Sequence, residues 1–205
     1  EIPLRLVGSE MCIRDRYYNK QKRIYSYKRI CTQFAERQKA GVGMASPKSC
    51  AILGHSPMRF AWGFDEEAVE CHDMKMELAQ QIMVLRQQGV THFSVACDYG
   101  VGLYAAELIN VLRDNDPELM LFCVTPYEEQ ATKWTPELRE RYFDMLIKCT
   151  HMTAVSFHKQ PDAQLKAYRT IIRQSDMVLA VYDPASARGD DTDTVSYTHL
   201  TLPTK

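Results

Sequence analysis

His92-Phe93-Ser94-Val95-Ala96-Cys97-Asp98-Tyr99-Gly100-Val101-Gly102-Leu103 carries the chain out of one structural period and into another. His92 to Cys97 is a short apolar run of strand length. Asp98 to Gly102 is a polar turn with two glycines. Leu103 to Leu112 reads as a helix, and Asp114-Asn115-Asp116-Pro117 ends it in a turn. Strand, glycine turn and helix in immediate succession make half of a βαβ unit.

The same alternation extends both ways. Upstream, Cys50-Ala51-Ile52-Leu53 is an apolar run stopped by Gly54. Asp65, Glu66 and Glu67 give an acidic helix start that suits the positive end of the helix dipole. Met74, Leu78, Ile82 and Leu85 then recur at helical spacing, and Gly89 closes that helix. Downstream, Leu119 to Val124 is a third strand. Thr135 is placed as an N-cap with Pro136 as the first helical residue, where a missing N–H costs nothing. That helix turns Leu138, Tyr142, Met145 and Leu146 inward. Thr153 to Phe157 is a weaker strand, Asp162 to Gln174 a helix bearing Leu165, Tyr168, Ile171 and Ile172, and Met177 to Val181 a fifth strand ending at Tyr182-Asp183-Pro184. The pattern predicts an α/β fold: a doubly wound, Rossmann-like, mostly parallel sheet of about five strands with helices on both faces.

Composition agrees with a single globular domain. The chain has 205 residues, 45% hydrophobic and 25% charged, with a formal net charge of -1. That balance offers no electrostatic case for nucleic acid or an anionic membrane. Seven cysteines without a C-x-x-C pair argue against a disulfide framework or zinc site and point to a reducing cytoplasm. No run approaches the roughly 18 apolar residues of a membrane span.

The ends read differently. Residues 1–16, with Leu4 to Arg16, and residues 195–205 resemble translated sequencing adaptor, strings that recur at the ends of unrelated metagenomic genes. Both are set aside from the fold. Tyr17 to Gly43 carries seven Lys/Arg against one acid. It reads as a basic nucleic-acid arm or as untranslated sequence upstream of Met44. The Rossmann-like domain is placed at residues 44–194.

In a doubly wound sheet the ligand crevice lies beyond the carboxyl ends of the strands. The loops there carry a recognisable series. Ile52-Leu53-Gly54-His55-Ser56-Pro57 with Phe60, Gly63, Asp65 and Glu66 comes first, and Gly100-Val101-Gly102-Leu103-Tyr104-Ala105-Ala106-Glu107 second. Pro126-Tyr127-Glu128-Glu129-Gln130 with Lys133-Trp134 and Arg139 to Tyr142 is the third, and Ser175-Asp176 with Ala180 to Asp183 the last. In order, over about residues 50 to 184, these resemble the YpsA-like branch of the SLOG superfamily, the group of the SMF/DprA and LOG proteins. The resemblance implies a Rossmann-like core binding a nucleotide-type small molecule, of the NAD or ADP-ribose kind. It names no certain cofactor beyond that nucleotide ligand and leaves a homo-oligomer open. The departures weaken family-style phosphate binding. Ser56 and Ala167 stand where the family usually has arginine, Arg169 being the arginine retained. Ala96 replaces a glycine and Gly102 an aspartate, while Gly189-Asp190-Asp191-Thr192 replaces a Gly-Gly-Thr loop. The chain is also expected to stop before the family's last helix and strand, leaving a sheet edge or apolar face uncovered.

The ligand-binding candidates are Gly54, His55, Asp98, Gly100, Gly102, Tyr127, Glu128, Glu129, Gln130, Arg169 and Asp183. Gly100 and Gly102 either bring backbone N–H groups to a phosphate or only serve a tight turn. Asp98 accepts from a ribose hydroxyl or caps the following helix. His55 bonds ligand or is simply packed. Glu128 and Glu129 hold ribose hydroxyls, act as general acid or base, or form an acidic helix start. Tyr127 and Trp134 stack on a base or seal the loop. Cys97 reads as a buried inert thiol. His55, Gly100 and Glu128 are expected around a common cleft. A binding module is the first reading. A LOG-like nucleotide N-glycosidic hydrolase, with Glu128 or Glu129 catalytic, is the second, although the LOG motif is absent. DprA-like single-stranded DNA binding is the third, opposed by the neutral charge and acidic loops.

Overall fold

The structure, a computed structural model, describes residues 10–12, 30–34, 48–182 and 191–195. Its strands are β1 (Glu10–Cys12), β2 (Ile30–Phe34), β3 (Lys48–Gly54), β4 (Val90–Ala96), β5 (Met120–Tyr127), β6 (His151–Ser156) and β7 (Met177–Val181). The helices are α1 (Val69–Gln87), α2 (Val101–Arg113), α3 (Pro136–Lys148), α4 (Ala163–Gln174) and the short α5 (Asp191–Val195). Single turns of 3₁₀ helix occupy Pro57–Arg59 and Gln130–Lys133.

The sheet order is β1-β2-β7-β3-β4-β5-β6. The five strands β7-β3-β4-β5-β6 run parallel, as the apolar runs predict. β2 and β1 extend the sheet antiparallel beyond β7, so two short strands come from residues outside the 44–194 domain placed from sequence, β1 from the end set aside and β2 from the basic segment. β7 is not an edge strand, since it pairs with β2 from Ile30↔Val181 to Phe34↔Met177.

Each face of the sheet has its own core. Ile52, Phe93, Val95, Leu121, Cys123 and Leu179 meet α1, α2 and α3 through Leu78, Ile82, Leu85, Leu103, Ile109 and Met145. Ala51, Leu53, Ala96, Val124, Val178 and Ala180 meet α4 through Ala167, Tyr168, Ile171 and Ile172. Adjacent strand residues point to opposite faces, which is why Ala51 and Ile52 part company. Each fully buried Leu, Ile or Phe contributes about 1.5–3 kcal/mol. The chain runs β3, β4, β5, β6 outward along the sheet, and α4 then crosses the other face to reach β7 beside β3. The reversal of winding, and thus the switch point, lies between β3 and β7.

Local signals explain most boundaries. Thr135 caps α3, its Oγ1 accepting from the Leu138 N–H at 3.4 Å, with Pro136 in the first turn. Gly89 ends α1's turn at φ +90. One start differs from expectation. Helix α1 begins at Val69, not at the acidic run Asp65-Glu66-Glu67. Asp65 Oδ1 accepts from the Glu67 N–H at 3.1 Å, a local turn that competes with helix. Glu66 is drawn away by Arg141 at 2.8 Å and Lys75 at 2.6 Å.

Candidate functional site

The loop after β4 turns back tightly at the carboxyl edge. The Cys97 N–H continues the ladder to the Val124 carbonyl at 3.0 Å, and the Asp98 N–H then folds back on the Ala96 carbonyl at 2.7 Å. Gly100 takes φ +116, and a Cβ there would stand 2.8 Å from Pro57 Cδ. A Cβ on Gly102 would strike the Ala96 carbonyl and lie 2.5 Å from Asp98 Oδ1. Both glycines are therefore required by packing, whatever the ligand.

The turn holds Asp98 at the floor of the carboxyl edge. The Tyr168 hydroxyl lies 3.1 Å from Asp98 Oδ2 and 3.2 Å from the Gly54 carbonyl. Thr192 Oγ1 donates to the same Gly54 carbonyl at 2.9 Å. Burial pushes the Asp98 carboxyl up to about 7, against the opposing pull of its own backbone N–H and Tyr168. A neutral Asp98 can donate to Tyr168 while Tyr168 donates to Gly54. An ionised Asp98 can only accept, so the Tyr168 hydroxyl then donates to it and not to Gly54.

Around Asp98 opens a cleft of about 310 Å³. Tyr99, Tyr127 and Trp134 supply aromatic walls, Gln130 and Gln164 amides, and Lys159 a cation. Gln130, Trp134 and Tyr99 are braced from behind. The Gln130 side-chain amide donates to the Cys97 carbonyl. Trp134 packs edge-on against Tyr142, ring centroids 5.1 Å apart. Tyr99 stacks on Phe64 at 5.5 Å, and its hydroxyl lies 3.4 Å from Glu66 Oε1. Glu66 is fixed in turn. Burial works against its charge, but hydrogen bonds from Arg141 and Lys75 outweigh that and hold its carboxyl below the ordinary value. Arg141 also grips Glu107 at 2.8 and 2.9 Å, tying the α1 approach, α2 and α3 together.

Of the residues singled out from sequence, the cleft is lined by Asp98, Tyr127, Gln130 and Trp134. The common cleft expected for His55, Gly100 and Glu128 does not form, although all three follow strand ends on one edge. His55 is 1% exposed, between Phe60 and Tyr182 with ring centroids 6.3 Å from each. Gly100 sits behind it against Pro57. Gly54 is filled in, since a Cβ there would meet Val101 Cγ2 at 2.6 Å. Glu128 turns outward onto a separate groove of about 400 Å³ with Arg139, Glu140 and Phe143. Glu129 is exposed, 3.4 Å from His158 Nδ1. Arg169 is exposed on α4 and is not among the cleft's lining residues. Asp183 lies outside the described residues. Sequence reasoning missed Lys159, Gln160 and Gln164. They sit in the β6–α4 connection and first turn of α4, where no motif marks them. It also took Tyr168 for a core residue alone.

Cys97 is buried, as its apolar run suggests. Among the described residues no group of three or more His, Cys, Asp or Glu could hold a metal ion. Among them, too, no helix is long and apolar enough to cross a membrane.

Fold and cleft together define a class: a doubly wound Rossmann-like α/β domain with an aromatic, carboxyl-bearing cleft at the carboxyl ends of its strands. Sequence comparison then assigns the family. The model of the YspA SLOG family (YpsA) matches residues 50–198, and the chain belongs to that family. It is similar to a UPF0398 protein of Halalkalibacterium halodurans, 32% identical over 114 residues that cover 54% of this chain and 59% of the relative. It is also similar to a UPF0398 protein of Bacillus cereus strain B4264, 29% identical over 139 residues, 66% of this chain and 74% of the relative. The chain thus spans less than two thirds of the length of the Halalkalibacterium relative.

Proposed function

We propose that the cleft binds a nucleotide-type ligand, NAD and ADP-ribose being the candidates that the family resemblance brings in, and that the domain senses or carries this ligand. The observation that carries the reading is the meeting of Asp98 with Tyr99, Tyr127 and Trp134 in one opening at the strand ends. Aromatic faces accept any base, worth about 1–3 kcal/mol per base stacked. A carboxyl group accepts or donates to ribose hydroxyls. Amides from Gln130 and Gln164 can read a base edge.

A hydrolase reading finds less support. Glu128 and Glu129, the carboxylates it would use, face away from the cleft. Any acid–base chemistry there falls to Asp98, whose carboxyl titrates near neutrality. Calorimetric titration of the full chain with NAD, ADP-ribose and nucleoside monophosphates tests the proposal. Binding should quench Trp134 fluorescence, and Trp134→Phe should remove the quench. Silence across the panel refutes it.

A further inference from the structure

The cleft also limits how much of a nucleotide it can hold, given the nucleotide reading on which this step rests. We infer that the site takes a single nucleoside unit with one phosphate, its base against the aromatic wall and its ribose at Asp98, and that a second phosphate or second nucleoside gains nothing from the described residues.

Charge is the first reason. Among the described lining residues Lys159 is the one cation and Asp98 the one acid. A monophosphate can be matched by one lysine, while the first N–H of α4, that of Ala163, is taken by the Gln160 carbonyl at 3.2 Å. A di- or triphosphate calls for more positive charge than these residues offer. Arg139 lines the other groove beside Glu128 and Glu140. The phosphate end is placed at Lys159 because the first turn of α4 lines the same wall through Ala163 and Gln164. The Asp162 side chain makes no capping bond to that turn and pairs with Lys166 at 3.0 Å instead.

The second reason is topology. Dinucleotides in doubly wound folds lie across the switch point, with phosphates on the first strand's glycine turn. Here that point is filled by the protein. The Gly54 carbonyl is taken by Thr192 and by Tyr168, and Val101 closes over Gly54 itself. His55 is packed beneath Phe60 and Tyr182. The open cleft lies to one side, beyond β4, β5 and β6. The third reason is size, since about 310 Å³ stands at the low end of the roughly 300–1,000 Å³ of small-molecule sites.

The test is a calorimetric series on the full chain with the four common ribonucleosides and their 5′ mono-, di- and triphosphates, plus ADP-ribose and NAD. For the base that binds, the monophosphate should be about tenfold tighter than the nucleoside. The larger ligands should fall within about threefold of the monophosphate. Lys159→Ala, at an exposed position, should bring the monophosphate to the nucleoside's affinity and leave the nucleoside unchanged, which also reports an intact fold. A further tenfold gain from a second phosphate, or from NAD over its monophosphate half, overturns the inference while leaving the nucleotide reading intact. An unaltered monophosphate affinity in Lys159→Ala overturns it too. No binding by any member removes the nucleotide reading itself.

Discussion

Replacing Asp98 by asparagine should make the protein more stable at alkaline pH and nearly leave it alone at acid pH. The carboxyl rises from 3.8 to about 7 in the fold because it is enclosed beside Tyr168 and Gly102. A raised acid favours the folded state while protonated. That contribution is complete below pH 3.8, declines as pH rises, and is gone once pH passes about 7. At about 1.36 kcal/mol per pH unit the full cost of ionisation is about 4 kcal/mol. Only about 1 kcal/mol of it is incurred by pH 4.5, so roughly 3 kcal/mol should appear between pH 4.5 and pH 8. The residue keeps some exposure along the cleft, which makes that figure an upper bound. The asparagine of the variant stays neutral throughout and still offers Tyr168 an acceptor. Urea unfolding of both proteins at pH 4.5, 6 and 8 measures the gap directly. A stability difference that changes by less than about 0.5 kcal/mol across this range refutes the buried-carboxyl argument.

Three other substitutions test the scaffold. Gly102→Ala should destabilise by about 2–3 kcal/mol in chemical denaturation, although helix propensity alone would make it about 1 kcal/mol favourable. The Cβ has only the Ala96 carbonyl and Asp98 to enter, and a stabilised variant would disprove that packing. Arg141→Met leaves Glu66 and Glu107 without their shared guanidinium and should cost about 2 kcal/mol. A double-mutant cycle with Glu66→Gln should show coupling near 1 kcal/mol, and additivity would count against the network. Thr192→Val should cost about 1 kcal/mol and speed amide exchange in α5, since Thr192 Oγ1 bonds the Gly54 carbonyl. Unchanged exchange there would mean that this bond does not hold α5.

How much of this was legible beforehand depends on the range of the interaction. Strand and helix alternation is written in spacing that a few residues enforce, so β7 falls at Met177–Val181 as read and Thr135 caps α3 as read. Those local rules, with the motif series, also determine the fold class and the family. The start of α1 was misread because Glu66 answers to Arg141, 75 positions away. Asp98, Tyr127 and Gln130 were legible as site residues because they close strands at the edge where doubly wound sheets open. His55, Gly100 and Glu128 follow strand ends on the same edge, but sequence does not say which loop residue faces inward. Tertiary packing decided that, placing Pro57 over Gly100 and Tyr182 beside His55. It also decided the chemistry of Asp98. Its raised pKa comes from enclosure that exists only once both faces of the sheet are covered, while Tyr168, 70 residues on, pulls the other way. A local pattern is set by neighbours in the chain, whereas a carboxyl's charge is set by whatever the folded chain puts around it.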